Sequence, residues 1–598
     1  MGRIQTNIGL ITGIPIGDTV EKLMQLAARP RDLVIERNDA VKQEQVALTG
    51  LSALLVSVQY MATNLGKENL YDQRIARSSN ESVLSATGTG DPPKGTYQFT
   101  PLRLVQSHQL LSSGFKTDTA PLGGGTFTFR FGDHVERSAQ LDALRGGQGV
   151  ARGAIRIIDR SGASAEIDLS IVQTVDDVLE AINSNNVINV TATAQGDRIR
   201  LTDQTGQTVS NLKVLEIGGG STAASLGLSG IDVAQDTADG QDIFWLTDDL
   251  ELDLLNDGSG VFADRVLDDI GYELRDGTSG TIDLSPIIPG GSQVDEETTL
   301  GELLEAINAA APDKLKAEIA PVGDRLILTD LTSGGGNFAV ESLGESTVLD
   351  NLGLDGGPVG GVITGRRILG GLKTVLLSSL EGGRGLGALG GLALTDRSGA
   401  SDTVDLSAAD TLDDVLDLIN AAAVGIVARV NQARNGIELA DTTGAPAGNL
   451  IVANADAAGT ADKLGIAVDD AVNSVGSGDL HLQVIAQNTR LEDLNGGAGV
   501  ARGRLTLYDT DGQKAQLNLA GDNVQTMGDV IRAINRLGLE IEAELNETGD
   551  GIRLRDLAHG THTLRVEEGS STTAADLHLL GGITEVEIDG QTTQVVDG

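Results

Sequence analysis

Apolar residues recur at spacings of three and four in four similar stretches. These are TVDDVLEAIN (174–183), TLGELLEAIN (299–308), TLDDVLDLIN (411–420) and TMGDVIRAIN (526–535). The first copy places Val175, Val178, Leu179 and Ile182 on one side of a helix; the last places Met527, Val530, Ile531 and Ile534 there. The predicted core positions are Val178 and Ile182, Leu303 and Ile307, Val415 and Ile419, and Val530 and Ile534. Thr174, Thr299, Thr411 and Thr526 are expected N-caps, with Asp177, Glu302, Asp414 and Asp529 three residues on. Glu302 predicts a full capping box, while the aspartates are expected mainly to complement the helix dipole and to face solvent. Asn183, Asn308, Asn420 and Asn535 are expected to end each helix, because Asn tolerates the left-handed conformation. A helix of two to three turns is unstable alone and must lie on neighbouring strands.

Those strands are legible on either side. Each unit opens on a Gly-rich phrase: LRGGQGV (144–150), LNDGSGV (255–261), LEGGRGL (380–386) and LNGGAGV (494–500). Three units continue into a strand and turn, IRIIDRSG (155–162), LALTDRSG (392–399) and LTLYDTDG (505–512), and the second has a looser version, YELRDGTSG (272–280). After each helix come RIRLTD (198–203), RLILTD (325–330), GIELAD (436–441) and GIRLRD (551–556). Equivalent leucines lie 111, 125 and 114 residues apart, the size of domains rather than of solenoid repeats.

Ahead of the repeats, residues 18–70 predict helix, with Asp18 as a cap and Val20, Leu23 and Leu26 on one side. Pro30 is expected to break or kink it, or to open a second helix. Leu51, Leu54, Val58, Met61 and Leu65 follow at 3-4-3-4 spacing, a seam of about two heptads widened by Leu55 and Ala62. This stripe needs a partner helix, in a coiled coil or in a bundle. Six of the 14 aromatics lie between 97 and 131, and Phe127, Phe129 and Phe131 alternate as in a strand, so a small β-rich domain is expected there. The expected fold is therefore α+β and multidomain. It comprises a helical segment (1–75), a β-rich domain (76–140) and four modules (141–240, 241–365, 366–478 and 479–598), each with a short helix packed on antiparallel strands.

Composition narrows the function. The net charge is −42, from 85 acidic and 43 basic residues, which argues against nucleic acid and anionic membrane as partners. The absence of cysteine excludes disulfides, thiolate catalysis and Cys-ligated metals. The start, MGRIQTNIGLITGIPIG, lacks the apolar run of a secretory signal, so any export is expected to proceed without a cleaved peptide. The most apolar stretch, 51–65, reads as too short and too interrupted to insert in a membrane.

Candidate chemistry is sparse. GLGALG (385–390) matches a dinucleotide fingerprint but precedes a strand instead of a helix. DTDG (509–512) resembles the start of a calcium loop without its closing Glu, and reads as a hairpin turn. HGTH (559–562) has no third ligand at a convincing spacing. No catalytic residue, metal site or cofactor is predicted.

The Ile-Asn pairs at 182–183, 307–308, 419–420 and 534–535 resemble the flagellin hook IN motif. GLITGIPIGDTVEKLMQLAARP (9–30) resembles the opening of the flagellar hook-associated protein 2 family, the filament caps, through Gly9, Leu10, Gly13, Ile14, Val20, Leu23, Met24 and Pro30. Thr12 stands where that family usually has Ser, and Pro15 and Gly17 also depart from it. The stretch 74–115 is similar to the family too. The resemblance implies a ring-like homo-oligomer at the filament tip, outside the cell. Its implied partners are flagellin, hook–filament junction proteins and an export chaperone. It implies assembly contacts through Leu10, Ile14, Val20, Leu23, Met24, Leu51, Leu54, Val58, Met61 and Leu65. The family ends in a long C-terminal helix, whereas ITEVEIDGQTTQVVDG (583–598) reads as strand and turn, so a fragment lacking that helix is expected. A surface adhesin built on the acidic modules, or another axial subunit, are the alternative readings.

Overall fold

The computed structural model describes residues 16–65, 95, 134–264, 267–287, 298–344, 346–444, 448–521, 524–588 and 591–598. The chain divides into two compact units, residues 1–123 and 124–598. Of the expected β-rich domain only Gly95 and residues 134–140 are described. Its aromatic strands, and Leu10 and Ile14, lie outside the described residues.

In the first unit, α1 is one continuous helix, Ile16–Leu65, about 75 Å long at 1.5 Å per residue. Two expectations change. The helix starts before Asp18, which lies in its first turn and complements the dipole there instead of capping it. Pro30 lies inside the helix and does not end it. Proline removes one backbone hydrogen bond and crowds the preceding turn, at about 3 kcal/mol. The long run of helix-favouring Leu, Ala, Gln, Glu, Lys and Arg on both sides outweighs that local cost.

The second unit holds the four modules, all built alike. In the first, strands Ser164–Asp168, Ala154–Ile158, Leu212–Glu216 and Asp232–Val233 form one sheet in that order, and Val190–Gln195, Arg198–Asp203 and Thr237–Asp239 form another. All these neighbours are antiparallel. The helix Val175–Asn183 is the first module's; Leu300–Ala310, Leu412–Asn420 and Met527–Asn535 are its equivalents, each with two antiparallel sheets of its own. The fourth module adds an edge strand, Ile583–Ile588, beside Gln591–Asp597.

Val178, Ile182, Leu303, Ile307, Val415, Ile419, Val530 and Ile534 are all fully buried. Each such side chain contributes about 1.5–3 kcal/mol, which is what holds helices this short in place. The first two modules share one continuous core, while the third and fourth have separate ones.

Three polar devices recur. First, all four helices carry complete capping boxes, Asp177, Asp414 and Asp529 as well as Glu302. The expectation for the aspartates is corrected: the carboxylates of Asp177, Asp414 and Asp529 also accept the amide one residue earlier, from Gln173, Asp410 and Gln525. Asp529 is buried as well, not solvent-facing.

Second, the phrase-ending asparagines are not left-handed. The residues that follow Asn183, Asn420 and Asn535 stay in the right-handed helical region. Each asparagine instead clamps a strand. Asn183 donates to the Ala192 carbonyl and accepts from its amide, and Asn308 with Ala317, Asn420 with Ala428 and Asn535 with Ala543 do the same. A side-chain amide offers one donor and one acceptor side by side, which matches the amide and carbonyl of a single strand residue.

Third, the aspartates that end RIRLTD, RLILTD, GIELAD and GIRLRD reach into the other sheet of their module. Asp203, Asp330, Asp441 and Asp556 accept the backbone amides of Arg160, Arg275, Arg397 and Thr510 at 2.7–2.9 Å.

The Gly-rich phrases are sockets for the chain leaving their own module. Arg145, Asn256 and Glu381 adopt positive φ. Their amides donate to the carbonyls of Ile243, Ile368 and Leu480 at 2.8–2.9 Å. The chain then crosses the start of the next helix, through the isolated bridges Glu251–Thr299, Leu376–Thr411 and Arg490–Thr526.

Candidate assembly site

Nearly every described side chain of α1 is exposed, including Val20 (48%), Met24 (67%) and Leu54 (65%). At 3.6 residues per turn, Val20, Leu23, Met24, Ala27, Val34 and Val41 form one stripe. Leu51, Leu54, Leu55, Val58, Met61 and Leu65 form another, roughly 140° around the helix. The described residues expected to act in assembly thus fall on two surfaces of one helix. All of the charges on α1 lie between Asp18 and Glu44, so the second stripe stands on an uncharged half.

By length and composition alone, Gly17–Thr63 is long and apolar enough to cross a membrane. That differs from the reading of 51–65 as too short, because the continuous helix extends the uncharged run back to Gln45. Gln45, Thr49, Ser52, Gln59 and Thr63 nevertheless share one side of it. A helix with one apolar and one polar side matches a protein partner better than lipid all round.

In the second unit the modules meet through specific polar contacts. The first and second join through Asp197 and Arg367, whose strand Val362–Arg367 belongs to a sheet of the second module although it runs past the expected boundary at 365, and the second and third through Arg325 and Asp410 at 2.9 Å. The first and third meet through Lys373 and Asp176 at 3.0 Å, Arg434 and Glu136 at 2.9 Å, and Gln195 and Asp417 at 2.7 Å.

The second and fourth modules meet around buried Arg532. Its guanidinium lies 5.0 Å from the Phe262 ring centre, 2.6 Å from Asp529 and 3.6 Å from Asp264. Asn488 adds bonds to the carbonyls of Ser259 and Val261. The sequence reading missed this contact. Its signal was present: position 532 is acidic in the other three phrases, as Glu180, Glu305 and Asp417.

Where the second, third and fourth modules adjoin, a cavity of about 420 Å³ is lined by Phe262, Arg366, Arg384, Gln487 and Glu544 among others. Its arginines are already paired, Arg366 with Asp350 and Arg384 with Glu547. Among the described residues no group of three or more His, Cys, Asp or Glu could hold a metal ion. DTDG is a hairpin turn, and His562 faces the Thr510 carbonyl at 3.3 Å beside it.

Residues 12–108 match the family model for the flagellar hook-associated protein 2 N-terminus. The polar flagellar hook-associated protein 2 of Vibrio parahaemolyticus is 26% identical over 146 residues, 23% of this chain and 22% of that one. The flagellar hook-associated protein 2 of Vibrio cholerae is 26% identical over 179 residues, 30% and 26% of the two chains. The A-type protein of Pseudomonas aeruginosa is 24% identical over 133 residues, 22% and 28%. The matches span about a quarter of the length of these relatives. No solved structure matches the chain. The resemblance to the flagellar hook-associated protein 2 family is thus shown, with the family-model match ending before the first Ile-Asn phrase.

Proposed function

We propose that this chain is a structural, non-enzymatic component of the bacterial flagellum that acts as a cap at the distal filament tip. The observation that carries the reading is the family-model match over residues 12–108, the region that contains all of α1 with its exposed apolar stripes. Copies associate into a ring through Val20, Leu23 and Met24 on one side of α1 and Leu51, Leu54, Val58, Met61 and Leu65 on the other. The four modules form an acidic, outward-facing head. Flagellin and hook–filament junction proteins are the partners in assembly, and an export chaperone covers the apolar helix before secretion. The cap confines arriving flagellin so that it folds and inserts, driven by binding instead of nucleotide hydrolysis.

A deletion strain is expected to release unpolymerised flagellin and to build no filament. Normal filaments in that strain would overturn the reading. Immunogold labelling is expected at the tip, and labelling along the shaft would assign the chain to another axial subunit.

A further inference from the structure

The contact between the first and third modules is unequal in charge. Asp176 and Asp413 hold the same position, one residue inside their helices. Their amides are bonded alike, to Ser138 Oγ at 2.8 Å and Thr374 Oγ1 at 3.0 Å. Lys373, next to Thr374, crosses the junction to Asp176. The residue equivalent to Lys373 is Arg137, beside Ser138, and it bonds the Asp257 carbonyl in the second module. Among the described residues no donor reaches the Asp413 carboxylate.

The groups that surround Asp413 are mostly acidic. Asp414 and Asp417 lie on its own helix, and Glu136 on the segment that enters the first module. The cations nearby are engaged elsewhere: Arg434 with Glu136, Arg200 with Asp239, Arg367 with Asp197 and Lys373 with Asp176. Asp414 holds the capping amides of Asp410 and Thr411. Asp417 accepts from Gln195 of the first module.

We propose that this junction is a proton-operated catch: the first and third modules hold together while Asp413 carries a proton, and their contact loosens when Asp413 ionises beside Asp414, Asp417 and Glu136. Burial first, then Asp417, Asp414 and Glu136, push the Asp413 carboxyl up to about 7 against the pull of Lys373. Its folded value therefore lies above its ordinary one. The stabilisation is fullest below the ordinary carboxylate range and is lost as pH rises through about 7.

Hydrogen exchange on the full chain at pH 5.5 and 8.5, corrected for intrinsic rates, tests the catch. The amides of 135–140 and 372–376 are expected to lose about tenfold or more in protection at the higher pH, while those of 527–535 hold steady. Asp413→Asn is to abolish the difference, and Asp417→Asn is to move its midpoint to lower pH. Circular dichroism checks that both variants are folded. Equal protection at the two pH values, an unchanged pH dependence in Asp413→Asn, or an unmoved midpoint in Asp417→Asn would overturn the proposal.

Discussion

The side chain of Asn183 closes a ring on the backbone of Ala192: Nδ2 donates to its carbonyl at 2.9 Å and Oδ1 accepts from its amide at 2.6 Å. Truncating it leaves two backbone groups of a half-buried strand unsatisfied. Asn183→Ala is expected to cost about 2–4 kcal/mol, read as a lower urea midpoint. Asn183→Asp, which sets a carboxylate oxygen against the Ala192 carbonyl in place of the donor, is to cost at least as much at neutral pH. Ser184→Ala, one residue on and outside the ring, is to be near neutral.

A glycine inside a helix normally gains from replacement by alanine, by about 1 kcal/mol. Gly528 is expected to reverse that sign. A Cβ there would sit 2.7 Å from the Phe262 ring, too close to accommodate without movement. Gly528→Ala should lower stability, and Phe262→Leu in the same chain should recover part of the loss. Additive effects in that double variant would separate the two residues.

Arg532 neutralises two buried carboxylates, Asp264 and Asp529, across the boundary between the second and fourth modules. Arg532→Met is expected to cost about 3–5 kcal/mol, because it leaves buried charge uncompensated. Adding Asp264→Asn should restore a measurable fraction. Differential scanning calorimetry is the direct readout.

The turn aspartate Asp396 titrates in the opposite sense to Asp413. Burial pushes its carboxyl up, but the Ser398 hydroxyl and the amides of Gly425, Ala400 and Ser398 together hold it below the ordinary carboxylate range. A folded value below the unfolded one stabilises the fold above about pH 4, and the benefit is lost as pH falls through the folded value. Asp396→Asn should therefore reduce stability at neutral pH and flatten the acid limb of a stability–pH curve. An acid limb as steep as that of the parent would count against the role given to this carboxylate.

The two stripes of α1 should be separable. Leu54→Glu with Val58→Glu, and Val20→Glu with Leu23→Glu, place charge on different sides of the helix. Each pair should weaken self-association and tip placement without shifting the unfolding of residues 134–598. Sedimentation velocity distinguishes the outcomes. Full association in both pairs would remove α1 from the assembly contact.

Much of the modular architecture could be read from periodicity, because a capped stripe of apolar residues repeated four times leaves few alternatives. The asparagine role could not, since it depends on a strand residue eight or nine positions away. The pattern was nevertheless present: each phrase is followed at that distance by Ala192, Ala317, Ala428 or Ala543. Of the outcomes expected at Pro30, a break and a fresh helix start are excluded, because a helix of this length gathers support from both sides of the proline. Arg532 departs from the acidic residue of the other three phrases because a contact between modules is where the copies differ, whereas Gly528 has a counterpart in Gly301 and its contact with Phe262 leaves no trace in the phrase. The angle between the two apolar stripes of α1 depends on the continuity of the helix through Pro30, which local periodicity does not fix.

The sockets formed by Arg145, Asn256 and Glu381 have an evolutionary consequence. Each receives the departing chain by its backbone, through one amide and one carbonyl, so the joint carries little demand on side-chain identity. A gene segment encoding one such body, duplicated in frame, would arrive with both halves of its own coupling. Lineages could lengthen or shorten the array by whole cassettes and refine the surfaces afterwards, and the isolated substitution at 532 has the form that such later tailoring would take.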